Sequence, residues 1–450
     1  MKNFRSALLL LAMGMFTLNA CKKETNDPTS LTDTELLEKI NLASNGQGTN
    51  AFLLPDSDDY AAIPQDARNP ITDEKVELGK LLYHETGLAI NPRLPNGKFT
   101  YSCASCHAAQ AGFYAGRRQG LGEGGLGFGA KGESRELDPS YPLAFIDVQP
   151  IKSPSALNVA YQELMLWNGQ FGANGMNVGT EAQWTAETPK FVNNLGYDGV
   201  ETQAIAGLAV HELVMDSLFA EDSEYYDLFE QAFPGMEKSE MITNETVGLA
   251  IAAYERTLLA NQAPFQNWLK GDVNAMTETQ KQGAILFFGK AGCVSCHNGP
   301  SLADMEFYAL GMNDLDGPGI YGSDPAGSGA NLGRGGFTTN PNDNFKFKVP
   351  PLYNLKDSPF YGHGSTFTTV KDVIDYKNTA AAENSSVPAD QLASSFQPLN
   401  LSEYEVYQIT AFLEDALYDP DLLRYTPDAL PSGMCFPNND VDSQSDLGCN

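Results

Sequence analysis

Two pentapeptides in the chain have the residue types and spacing for redox chemistry: Cys103-Ala-Ser-Cys-His107 and Cys293-Val-Ser-Cys-His297. Both read C-x-x-C-H. Two thiols one helical turn apart can each add to a vinyl group on one side of a porphyrin, and the adjoining imidazole is then held where its Nε2 reaches the iron. A thioredoxin-like pair seldom carries a histidine directly after it, and no further cysteine pair stands nearby to complete a zinc tetrahedron. Cys103, Cys106, Cys293 and Cys296 are therefore read as covalent anchors of two c-type haems, with His107 and His297 as their iron ligands.

Of the seven cysteines, three remain. Cys21 follows a basic start (Lys2, Arg5), an apolar run from Ala7 to Phe16, and Leu18-Asn-Ala20, the layout of an export signal ending in a bacterial lipobox. This predicts cleavage before Cys21, acylation of its thiol, and an exported lipoprotein facing the periplasm. Cys435 and Cys449 are expected to close a disulfide in such an oxidising compartment. No later stretch supplies the roughly 20 continuous apolar residues of a membrane span, so membrane contact would come only through the lipid. The formal charge is −29, and −31 once Lys2 and Arg5 are gone (−29 − 2). So acidic a chain argues against nucleic acid and anionic lipid surfaces as partners.

The elements that must position the two motifs repeat along the chain. Thr72 to Tyr83 reads as a capped helix with Leu78, Leu81 and Leu82 on one face, and it precedes the first motif. Thr277-Glu-Thr-Gln280 is a capping box that opens a matching helix before the second motif, with Ile285, Leu286 and Phe288 apolar. Gly79-Lys-Leu-Leu-Tyr corresponds to Gly283-Ala-Ile-Leu-Phe. Downstream, Val247–Leu259 resembles Val406–Leu417, and the motifs stand 190 residues apart (293 − 103). The pattern predicts a mainly α protein built from two copies of one cytochrome c-like haem module with long loops. The expected boundaries are 1–20 for the signal, 21–70 for a tether and extension, 71–265 and 266–425 for the two haem domains, and 426–450 for the disulfide-bearing tail. Within the extension only Leu31–Ile40 looks helical. The Gly-rich run Gly120–Gly129 follows no strand of a βαβ unit and is not read as a nucleotide loop, and Asn313–Asn344 reads as a long surface loop.

A set of short motifs in fixed order resembles the bacterial di-haem cytochrome c peroxidases, a family that includes the MauG-type enzymes of methylamine utilisation. The matching pieces are Leu78-Gly-Lys-Leu-Leu-Tyr, Ser102–His107, Ser153-Pro-Ser-Ala-Leu-Asn158, Leu166-Trp-Asn-Gly169, Ala232-Phe-Pro-Gly235, Ala263–Gly271, Leu286–Pro300 and Phe347–Asn354. Together they span roughly Ile71 to Leu417. The resemblance implies a peroxidatic haem on His107, an electron-relaying haem on His297, and Trp167 as a bridge between them. It also implies a distal glutamate preceded by a glutamine nine or ten positions earlier, which Gln203 and Glu212 match. The usual Glu-Met-Gly ending is absent, and His211 directly precedes Glu212. Glu212 is the first choice for the acid–base group that peroxide cleavage needs. His211 is the alternative, or a distal iron ligand.

The loop Arg117–Gly129 contains no histidine, so the bis-His resting form known in the family is not expected there, and the first haem should be open without reductive activation. His84 stands where the family usually has Asp and is read as a surface residue. For the second haem the family uses Met or Tyr on a helix after a His-containing turn, here Ser358–Ser365 with His363. Alignment through Pro359 and Ser365 assigns that ligand to Tyr376; alignment through Val370, Val373 and Ile374 assigns it to Lys377. The family's interdomain calcium site uses an Asn where this chain has Lys152, which puts calcium in doubt. Members often pair as homodimers. Three functions follow as expectations: reduction of hydrogen peroxide with electrons from a small cytochrome c or cupredoxin; MauG-type oxidation of Trp or Tyr in a partner protein; or electron carriage without catalysis.

Overall fold

The computed structural model describes residues 30–214 and 224–449; the signal-like segment and Cys21 lie outside the described residues. The longer helices are α1 (Leu31–Ala43), α2 (Asp73–His84), α3 (Gly199–Val210), α4 (Tyr225–Ala232), α5 (Asn244–Arg256), α6 (Glu278–Phe288), α7 (Val370–Thr379), α8 (Glu403–Ala411) and α9 (Val441–Leu447). Shorter helical turns and two antiparallel ladders of two residues per strand accompany them. The ladders are β1 (Gly125–Leu126) with β2 (Glu136–Leu137), and β3 (Phe307–Tyr308) with β4 (Phe347–Lys348). The helices begin where the sequence offers a cap. Thr72, Thr243, Thr277, Thr369 and Ser402 each accept an N–H of the first turn of α2, α5, α6, α7 and α8.

The same helix crossing occurs twice. Gly79 of α2 faces α5 so closely that a Cβ would land on the carbonyl oxygen of Ala250 and 2.9 Å from the Cβ of Tyr254. Gly283 of α6 faces α8 in the same way, with the Gln408 carbonyl and the Phe412 Cβ at 2.9 Å. Glycine is needed at both points because backbone meets backbone, with no room for a methyl group. We expect Gly79→Ala and Gly283→Ala each to destabilise the fold by about 1–3 kcal/mol, the usual range for overpacking, as a lower urea midpoint.

Two segments are more integrated than the sequence indicates. Helix α1 continues to Ala43 and docks against α6. Its buried Asp33 accepts the indole N–H of Trp268 at 2.8 Å and pairs with Lys281 at 2.6 Å. Leu36, Ile40, Phe52, Leu54 and Ile63 of the extension thus join the main hydrophobic core. The C-terminal tail returns to the first C-x-x-C-H. Ser102 and Ser105 donate to the Pro437 carbonyl at 2.9 and 3.1 Å, Asn438 donates to Ser105 at 2.9 Å, and Cys435 and Cys449 join in a disulfide.

That return path corrects the reading of His84. It is 2 % exposed, enclosed by the rings of Tyr83, Tyr254 and Phe436. Its Nδ1 lies 2.8 Å from the Lys80 carbonyl, and burial pushes its pKa down to about 4. The helix end that looks solvent-facing in the sequence is covered by a segment some 350 residues downstream (436 − 84 = 352).

Candidate active site

Each C-x-x-C-H forms a single 3₁₀ turn, Cys103–Ser105 and Cys293–Ser295, and the following histidine points inward. His107 Nδ1 lies 3.3 Å from the Phe113 carbonyl oxygen, and His297 Nδ1 lies 3.0 Å from that of Leu302. A carbonyl can only accept, so Nδ1 carries the proton and Nε2 keeps its lone pair, as an iron ligand requires. Burial pushes both imidazoles down to about 4, which holds them neutral. Cys103, Cys106, Cys293 and Cys296 form no disulfide.

The surroundings fit two haems. Arg117, close enough to Cys106 for its charge to act there, has a buried Nη1 without a hydrogen-bond partner among the described residues. Beside the second motif, Lys152 and Lys348 are 4 % and 6 % exposed, neither pairs with a carboxylate among the described residues, and burial lowers both ammonium groups to about 7. Buried cations without anions are costly, and the propionates of a haem are the anions such positions accept.

Above the first motif the structure gathers residues that lie far apart in the chain. His211 caps the C-terminus of α3, and its Nδ1 is 2.8 Å from Asp147 Oδ2. Burial works against the charged imidazole, but the Asp147 carboxylate more than offsets this and raises the His211 pKa. His211 is near enough for its charge to act on His107, and its carbonyl accepts the Tyr101 hydroxyl at 2.9 Å. Glu212 turns away. Its φ is +53°, its side chain is 40 % exposed, and its Oε1 lies 3.6 Å from Arg93 Nε. Gln203 sits on α3 two turns before His211. Asp147 was not foreseen: it stands in an irregular segment with no pattern around it, and only the fold brings it to His211.

At the second motif, Trp167 and His363 form one wall of a cavity that also contains Cys293, Cys296 and His297. The Trp167 indole donates to the Lys152 carbonyl at 2.8 Å and meets His363 edge-on, with ring centroids 6.3 Å apart. His363 stacks on Phe347 at 3.6 Å and is 3.3 Å from Asp314. Lys152 places its ammonium 3.6 Å above the Tyr114 ring. Val370, Val373, Ile374 and Lys377 line the same cavity from α7. Tyr376 faces elsewhere, packed on Phe367 and Phe396 with its hydroxyl donating to the Leu310 carbonyl at 2.5 Å.

A di-haem cytochrome c peroxidase profile matches residues 73–274. The chain is 28 % identical to the cytochrome-c peroxidase IdrP1 of Pseudomonas sp. strain SCT, covering 87 % of this chain and 93 % of that protein. It is 29 % identical to the methylamine utilization protein MauG of Methylorubrum extorquens, covering 80 % and 82 % of the two chains. It shares its fold with a MauG-like protein associated with microbial copper homeostasis, at a TM-score of 0.57, 25 % identity, and coverage of 82 % of this chain and 96 % of that one. Over residues 73–274 the chain is similar to the di-haem cytochrome c peroxidase family, and along most of its length to proteins named cytochrome-c peroxidase and MauG. Members of that family are oxidoreductases acting on peroxide, and this chain is an enzyme of the same class. Against what the family resemblance implies, it departs at three places: Lys152 stands where an Asn is expected, His211 directly precedes Glu212, and on α7 Lys377 rather than a Met or Tyr lines the second cavity.

Proposed function

We propose that the protein is a di-haem c-type peroxidase that reduces hydrogen peroxide to water, with electrons passing from a haem on His297 to a haem on His107. In this reading residues 71–265 and 266–425 each form a class-I cytochrome c-like domain, with the haems bound covalently through Cys103/Cys106 and Cys293/Cys296. The observation that carries it is the Asp147–His211 pair, close enough to His107 for the His211 charge to act there. When bound, that haem supplies the redox chemistry that splits the O–O bond. His211 Nε2 takes the proton from one peroxide oxygen and returns it to the departing oxygen. Asp147 holds the ring by Nδ1 and fixes the tautomer that leaves Nε2 free to accept. Trp167, set between the Lys152 carbonyl and the His363 ring, provides the aromatic step between the two haem sites. The Lys152 ammonium disfavours a calcium ion at that junction.

The expected donor is a small cytochrome c or cupredoxin in the periplasm, reached by an enzyme anchored through acylated Cys21. A second reading, oxidation of aromatic residues in a partner protein, is favoured by the absence of Met from the α7 face that lines the second cavity. The test is peroxide-dependent oxidation of a reduced small cytochrome c by the holoprotein. Two donor electrons per peroxide are expected. Peroxide consumed by the oxidised protein without donor oxidation would replace the first reading with the second.

A further inference from the structure

The α7 face toward the second cavity ends in a cation with no partner among the described residues. Val370, Val373, Ile374 and Lys377 fall at positions i, i+3, i+4 and i+7, so they form one stripe along the helix, and all four line the cavity holding His297. Three of them are apolar and suit a porphyrin face. The fourth carries an amine, and no hydrogen bond or ion pair is recorded for it among the described residues. Lys371, on the outer side of the same helix, pairs with Asp375 at 2.5 Å. Lys377 lines the same cavity as Cys293, Cys296 and His297 and is close enough for its charge to act on Cys293 and His297. Leaving an ammonium in such a setting unpaired is unfavourable unless another group engages the nitrogen.

Tyr376 and Met312 are of the residue types that the family resemblance names for this ligand. Tyr376 is excluded by its orientation, since its hydroxyl is committed to the Leu310 carbonyl on another face of α7. Met312 also borders the cavity, but from the irregular segment before Asp314. We propose that Lys377 would supply the second iron ligand, besides His297, of a haem held at Cys293 and Cys296. This rests on the di-haem reading above and goes beyond it by naming an amine where a thioether or phenolate is expected. A neutral amine binds through its nitrogen lone pair, and the proton of the free ammonium is released to solvent on ligation. Because a thioether ligand raises a haem potential, the amine ligand leaves the second haem more easily oxidised than a Met-ligated one. It is thereby suited to holding oxidising equivalents.

The test is EPR and near-infrared magnetic circular dichroism of the oxidised holoprotein, with haem counted independently by pyridine haemochrome. The wild type is expected to hold two haems, the second low-spin. Lys377→Ala should turn that haem high-spin with the count unchanged, while Tyr376→Phe and Met312→Leu leave the spectrum as it was. Lys377→Met keeps the volume of the side chain should the alanine variant fail to fold. It should restore a low-spin haem with the sulfur-to-iron near-infrared band and a higher midpoint potential. A second haem that stays low-spin with an unaltered spectrum in both Lys377 variants, or one that changes in Tyr376→Phe or Met312→Leu, overturns the proposal. A wild-type count of one haem overturns the di-haem reading beneath it.

Discussion

Replacing His211 with glutamine should lower peroxide turnover by about 100- to 10,000-fold, the range for removing a positioned proton-transfer group. The pocket should survive, because the His211 backbone still closes α3 through Gly207 and still accepts the Tyr101 hydroxyl. Asp147→Asn should lower turnover as well and alter its pH profile. An amide can present its NH₂ to Nδ1, which turns the tautomer and takes the proton-accepting position away from Nε2. Glu212→Gln should have a far smaller effect, since that carboxylate is partly exposed and faces Arg93. Steady-state kcat/KM for peroxide at fixed donor concentration, with haem content measured alongside, checks all three. Losses at Glu212 as large as those at His211 would return the acid–base role to the glutamate that family resemblance puts first.

The largest stability effect is expected at Glu201, which is wholly buried on α3. It receives Arg256 Nε at 2.8 Å and Nη2 at 2.6 Å from α5, and Asn69 Nδ2 at 3.3 Å. Glu201→Ala leaves the Arg256 guanidinium buried with its main counter-charge gone, and breaking one side of such a pair costs about 3–5 kcal/mol. A replacement of both partners by well-packed apolar residues should cost much less, because no charge is then stranded. Urea midpoints of the holoprotein read both. The effect reaches function, since α3 is the helix whose C-terminal end carries His211.

What could be read in the sequence was local or periodic. The two C-x-x-C-H motifs are contiguous, so their chemistry needs no fold to be recognised. The module repeat shows in Gly79 and Gly283 because backbone contact between helices leaves no alternative to glycine there. The residues that needed the structure are those whose partners lie far along the chain. Asp147 meets His211 across 64 residues, and no spacing rule marks either. His84 looks like a helix-end surface residue until the tail from Met434 to Asn439 is laid over it. The choice between Tyr376 and Lys377 turns on a helical rotation of about 100°, which alignment by short motifs does not fix. Once Val370, Val373 and Ile374 are seen on the cavity wall, the period carries Lys377 onto it and Tyr376 off it. The contact of Glu212 with Arg93 likewise joins residues far apart in the chain, and the positive φ of Glu212 has no mark in the sequence.

The central claim is that the His107 side of the molecule holds an open, peroxide-reactive haem served by His211. It is tested most directly by the EPR spectrum of the oxidised holoprotein before and after one equivalent of peroxide. The account predicts one high-spin signal that disappears on addition, beside a low-spin signal from the second haem. Two low-spin signals indifferent to peroxide, both in the oxidised protein and after half-reduction, would contradict it. His211 would then be an iron ligand, and the protein an electron carrier.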